Sequence, residues 1–273
     1  MTRALAAEWR KLVTTRIWWV LGLVLIGYVG FVAGLLGVMF GVLGEQLAQD
    51  PEAPQIPAET LPAIVYSSVT AVGYVIPLIL GTLAVTGEVR HRTLTPTFLA
   101  TPARGTALLA KLLVLLAAGG GYGAAGLVAS IGAGAPIIAL TGGDPQLDAS
   151  ATWALAGRAV LAMALWAAVG VGVGSLIQNQ LAAVVVVLAF TQFVEPMLRF
   201  GSAFWEPAAQ VARFLPGSAS DALVGASIFT SFSGGGMVAV PPLDWWQGGL
   251  VLAVLAALVA LAGYATAWRR DIT

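Results

Sequence analysis

The stretch Trp153–Leu198, WALAGRAVLAMALWAAVGVGVGSLIQNQLAAVVVVLAFTQFVEPML, decides the class of fold. Read as a single helix it would run roughly 70 Å, more than twice the ~30 Å hydrocarbon core of a bilayer. The polar tripeptide Gln178-Asn179-Gln180 divides it, so the stretch reads as two spans, Trp153–Ile177 and Leu181–Leu198, joined by a tight turn at a membrane face. Glu195 and Pro196 cut the second of these short.

Working outward, four further apolar runs have the length of a span: Ile17–Leu43, Leu61–Thr86, Leu112–Leu140 and Trp245–Trp268. Composition agrees. Of 273 residues 59% are apolar and 10% charged, and the mean hydropathy is +0.90. Soluble domains carry about 25% charged residues, so this chain lacks the charge to coat a water-exposed surface. The expected fold is a single all-α transmembrane domain over residues 1–273 with six spans. The absence of cysteine excludes disulfides, thiol nucleophiles and thiolate metal sites. The first apolar run is too long for a signal-peptide core and reads as a retained span.

Net charge is zero, yet the charges are sorted. With the N-terminus, the interruption at residues 87–111, the Gln178–Gln180 turn and the C-terminus on one side, that side holds ten of the thirteen basic residues. These are Arg3, Arg10, Lys11, Arg16, Arg90, Arg92, Arg104, Lys111, Arg269 and Arg270, against three acids, Glu8, Glu88 and Asp271. Lys and Arg decide orientation, and they place both termini in the cytoplasm. Trp18, Trp19, Trp153, Trp245, Trp246 and Trp268 fall at span ends, where an interfacial aromatic belt belongs.

Two segments are neither span nor short turn. Thr2–Arg16 places Leu5, Trp9, Leu12 and Val13 on one helical face, as expected of an amphipathic helix lying in the interface. Phe200–Pro242 is rich in Gly, Ser and Pro yet strongly apolar. Short re-entrant or interfacial helices over the outer mouth are expected there, since such backbone must be buried in protein or line a cavity.

Gly30, Gly34, Gly37 and Gly41 form part of a continuous stripe down the first span. Small residues let helix backbones approach closely in lipid. The stripe fits packing within the bundle, or contact with a second protomer during transport. Gly121-Tyr-Gly-Ala-Ala-Gly126 has the dinucleotide spacing but lies inside a span, not between strand and helix, and reads as helix packing. No P-loop and no catalytic signature occurs, so neither enzyme chemistry nor a cofactor or metal is expected in this chain. Arg158, Glu195 and Arg199 lie near the outer boundary, where they fit either an ion pair, Glu195 with Arg158 or Arg199, or an outer gate. No acidic residue is expected near mid-membrane, which speaks against an ion-coupled carrier. Pro77 should bend the second span.

Gly87–Lys111, GEVRHRTLTPTFLATPARGTALLAK, is the longest hydrophilic interruption between long apolar runs. Topogenic charge and anionic lipid contact account for Arg90 and Arg92. They do not account for Thr93, Thr95, Thr97 and Thr101 with Phe98 and Leu99, which read as a folded, docked element. The run Gly87-Glu-Val-Arg-His-Arg-Thr-Leu-Thr, then Pro102-Ala-Arg104 and Lys111, resembles the loop between spans two and three of ABC-2 type permeases. Glu8-Trp-Arg-Lys-Leu-Val-Thr-Thr-Arg16 resembles the start of actinobacterial members. Gly170-x-Gly-x-Gly-Ser175 with Asn179-Gln-Leu-Ala-Ala183 is similar to the family's turn between spans four and five.

The resemblance implies a type V-like exporter fold in a bacterial cell membrane. It implies an elbow helix at residues 1–16, a coupling helix within the cytoplasmic loop 88–111 and re-entrant helices within 200–242. Glu88, Arg90, His91, Arg92, Thr95, Phe98, Leu99 and Arg104 would contact a separate P-loop ATP-binding cassette subunit, which would carry the ATP and Mg. A second permease copy and the lipid bilayer would complete the partners, with no nucleic acid. The expected function is outward movement of a hydrophobic or amphiphilic substrate. The rivals are an ion-coupled secondary transporter, which would show midplane ion ligands, and a membrane scaffold that transports nothing.

Overall fold

The computed structural model describes residues 1–42, 57–93, 103–202, 204–226 and 241–268, and among these every regular element is helical. Helix α1 (Thr2–Thr14) precedes α2 (Ile17–Val42). Next come α3 (Leu61–Ala71) and α4 (Val75–Arg90), which form one interrupted rod, then α5 (Arg104–Leu140) and α6 (Ser150–Leu176). A second interrupted rod is made of α7 (Gln180–Ala189), a π-helical turn at Phe190–Val194 and α8 (Glu195–Ser202). Two short helices, α9 (Glu206–Ala212) and α10 (Pro216–Val224), lead to α11 (Trp245–Gly263). Six rods are long and apolar enough to cross a membrane: Ile17–Gly41, Leu61–Arg90, Arg104–Leu140, Ser150–Leu176, Gln180–Ser202 and Trp245–Thr266. The chain is a multi-pass, all-α membrane protein.

Span four is the hub, packing against spans two, three and six. Two-thirds of its central window is buried (67%), against 22% for span five, so span five is the peripheral member. Lipid supplies no hydrophobic drive for helix association, so close backbone approach must come from small residues. At the crossing of spans two and four, a Cβ on Gly170 would lie 2.1 Å from the Leu78 carbonyl oxygen. One on Gly81 would lie 2.2 Å from that of Ala167. Thr82 Oγ1 adds a hydrogen bond to the Gly170 carbonyl at 3.2 Å. Gly172, on the opposite side of the same helix, admits the α11 backbone at Val259 and Ala260.

Three expectations about span limits change. Span three starts at Arg104, not Leu112, because Gly105–Lys111 continues the helix by two turns. Span two runs on to Arg90. The hydrophilic loop therefore shrinks to 91–103, and Lys111, read as a loop residue, is helical and 2% exposed. The expected coupling helix, with Thr95, Phe98 and Leu99, falls in 94–102, outside the described residues. The Gln178–Gln180 turn is present, with Asn179 Oδ1 capping α7 by accepting from the Ala182 amide at 3.1 Å.

Pro77 acts where expected, but as a break in place of a bend. Its ring excludes a helical bond to Gly73 four residues back. The Gly73 carbonyl instead accepts from the Ile76 amide at 3.1 Å, and the rod is interrupted at residues 72–74. Gly73 itself leaves room for Leu25 and Val29 of the first span.

Candidate functional site

The face that carries α1 is held by four buried or half-buried charges. Glu8 lies on the inward side of α1, flanked by Leu5 and Leu12, which pack on the core. Trp9 and Val13, on the same apolar face of α1, are exposed. Glu8 Oε1 accepts from Lys11 Nζ at 2.6 Å and Oε2 from Lys111 Nζ at 2.5 Å. Glu88 Oε1 accepts from Lys11 at 2.7 Å and from Lys111 at 3.0 Å, while Lys111 also donates to the Ala84 carbonyl at 3.3 Å. Two carboxylates and two ammoniums thus neutralise one another and tie α1 to the end of span two and the start of span three.

Burial raises the Glu8 pKa, but the Lys111 charge and the hydrogen bonds from Lys11 and Lys111 outweigh it, leaving the carboxyl below its ordinary value. Burial lowers that of Lys11, and its hydrogen bonds to Glu8 and Glu88 reverse this, leaving the ammonium above its ordinary value. Glu88 Oε2 is buried with no hydrogen-bond partner among the described residues.

Glu88, expected to contact the ATPase subunit, has its carboxylate buried against Lys11 and Lys111. Arg90, His91 and Arg92 are exposed at the same face. Arg90 Nη1 donates to Gln180 Oε1 at 3.2 Å, joining the end of span two to the start of span five. The end of α4 closes with the Thr93 amide on the Glu88 carbonyl at 2.9 Å and the Arg92 amide on that of Val89 at 3.2 Å. This pattern puts the residue after the cap in the left-handed region, normally glycine's place. Gly142 takes that place at the end of α5, but here Arg92 does, with φ 55°. Arg104 opens α5 and is half-buried.

The glycine stripe faces span three of the same chain. Cβ atoms added at Gly30, Gly34, Gly37 and Gly41 would meet Ala129, Ile137, Ile137 and Thr141 respectively. Of the dinucleotide-like glycines, Gly123 admits span four and Gly126 admits Val69, so that motif is used in packing.

The second constellation lies deep in the bundle. Neither expected ion pair at Glu195 forms. Arg158 stacks over the Trp245 ring at 4.8 Å, and Arg199 pairs with Asp221 at 2.5 Å. Glu195 turns to the start of α10, where Oε1 accepts from the Gly217 amide. A side chain on Gly217 would occupy that carboxylate's place. The Ser218 amide adds its dipole to the same group. Glu195 is 2% exposed, and its Oε2 has no hydrogen-bond partner among the described residues.

Glu195 is fifteen residues past Gln180, about 22 Å along the rod, and Tyr74 is about 24 Å from Arg90 on span two. The Arg90–Gln180 bond sets those two starting points level. Measured from that level, both groups lie past the middle of a ~30 Å hydrocarbon core, toward its far side. Asp221 is carried inward on α10, whose Ser220 Oγ accepts from Trp166 Nε1 in the middle of span four at 3.1 Å. Here α10 is re-entrant, as expected within 200–242.

A cavity of roughly 120 Å³ opens among these groups, lined by Tyr28, Tyr74, Trp166, Glu195, Arg199 and Asp221 with others. Sequence reasoning missed Glu8, Lys11 and Lys111 as a set, although the Glu8/Lys11 spacing of three on one helix was a usable signal. It missed Tyr74, Trp166 and Asp221 entirely.

Compared with protein-family models and with curated proteins, the chain matches none.

Proposed function

We propose that this chain is the membrane subunit of an ATP-driven exporter, both termini cytoplasmic in a bacterial cell membrane. It works as a dimer with two separate P-loop ATPase subunits and moves an amphiphilic substrate outward. The observation that carries the reading is the buried charge clamp at the root of segment 91–103. A partner pushing on that segment pushes at once on α1, span two and span three, which Glu8, Lys11, Glu88 and Lys111 bind into one body. The exposed Arg90, His91 and Arg92 supply a basic surface beside it for an ATPase subunit. The motif resemblance and the sorting of Lys and Arg point the same way. Nucleotide binding would favour one arrangement of this body against the partner protomer, shifting the population between inward and outward access.

The test is purification of the tagged full chain from its native membrane. A stoichiometric ATP-hydrolysing subunit should elute with it, and Arg90→Glu with Arg92→Glu should lose that subunit while the chain still inserts. Elution of the wild-type chain without an ATPase would refute the reading. The buried carboxylate of Glu195 favours a second reading, an ion-coupled carrier, which the same purification would leave standing.

A further inference from the structure

We propose that the cavity at Glu195 binds a small organic monocation, an alkylammonium group of a few carbons. Among the described residues, Glu195, Asp221 and Arg199 are the charged groups that line it. Arg199 and Asp221 pair at 2.5 Å, and an ionised Glu195 adds a formal negative charge beside them. Its Oε1 accepts from the Gly217 amide with the Ser218 amide beside it, while Oε2 is buried with no hydrogen-bond partner among the described residues. A half-satisfied carboxylate at membrane depth is costly, and an ammonium N–H is the complementary donor.

The walls select among monocations. Tyr74 and Trp166 stand with ring centroids 4.6 Å apart and interplanar angle 40°, and Tyr28 adds a third aromatic wall. Aromatic faces attract desolvated ammonium groups. The cavity's 120 Å³ is about four times the ~30 Å³ share of a liquid water, far more than a bare inorganic ion fills. Two interruptions of transmembrane rods, at residues 72–74 and Phe190–Val194, flank it together with the start of α10. Such irregularities in spanning helices accompany binding sites. The inference concerns binding and not its energy source, so it stands or falls independently of the ATPase reading.

The test is calorimetric titration of the purified full chain in nanodiscs with butylammonium chloride, empty nanodiscs serving as blank. Sodium chloride at equal ionic strength is the comparison. Saturable butylammonium binding is expected, at least tenfold weaker in Glu195→Gln, whose amide oxygen still accepts from Gly217. Asp221→Asn should also weaken it, because it removes a negative charge beside the site. The wild-type titration decides first: no saturable binding, or equal competition by sodium, overturns the ammonium site. Unchanged affinity in a folded Glu195→Gln or Asp221→Asn variant overturns the charge assignment.

Discussion

Lys111 shows how much one buried side chain holds. Its ammonium answers both Glu8 and Glu88, so Lys111→Met would leave two carboxylates with Lys11 alone. Breaking a buried pair by removing one partner costs roughly 3–5 kcal/mol. That loss should appear in the unfolding free energy of Lys111→Met, and part of it should return in Lys111→Met/Glu8→Gln, which restores neutrality. The clamp also sets a pH window. Glu8 has a lowered folded pKa, so its contribution is present above the ordinary carboxylate range and is lost as pH falls through the folded value. Lys11 has a raised one, so its share is present below the ordinary lysine range and is lost as pH rises through the folded value. The clamp's share of the stability should be constant from about pH 5 to about pH 10 and fall at both ends. An identical acid limb in Glu8→Gln would assign it to other carboxylates. Arg92, in the left-handed region, gives a prediction of the opposite sign. Arg92→Gly should raise stability by roughly 1 kcal/mol while weakening retention of the proposed ATPase subunit.

Among elements, the close crossings decide the packing. Gly170→Leu should separate spans two and four and abolish folded yield, since backbone atoms of Leu78 and Thr82 fill the space. Gly27→Leu should be tolerated, since nothing lies within 4 Å of its Cβ position. Size-exclusion yield of the two variants checks this, and equal yields would contradict the crossing geometry. The span count, the α7 turn and the stripe on span one were legible because apolar length and helical spacing are local properties of the chain. The clamp was hidden by an assumption, namely that charges outside the apolar runs are solvated. Lys111 instead sits in a helix, with its partners supplied from residues 8 and 88. The deep site was illegible for a different reason. Asp221 reaches Arg199 only because α10 folds back into the bundle, and Gly-, Ser- and Pro-rich composition does not specify where a re-entrant helix docks. Gly170, Gly172 and Gly174 could have been read as two packing faces, since residues four apart share a side and the middle one points away.

For the whole molecule, the proposed orientation rests on the unequal distribution of Lys and Arg. Clamp, exposed basic residues and α1 belong to one face, and the proposed function requires that face to meet cytoplasmic ATP. The protein has no native cysteine, so a single introduced thiol reports without background. His91 and Asp148 are exposed, and successive spans put them on opposite faces. The decisive measurement is labelling of His91→Cys and Asp148→Cys with a membrane-impermeant maleimide, in intact and in permeabilised cells. The account predicts that Asp148→Cys labels in intact cells and that His91→Cys labels only after permeabilisation. Labelling of His91→Cys from outside intact cells would turn the basic face away from the cytoplasm and contradict the account.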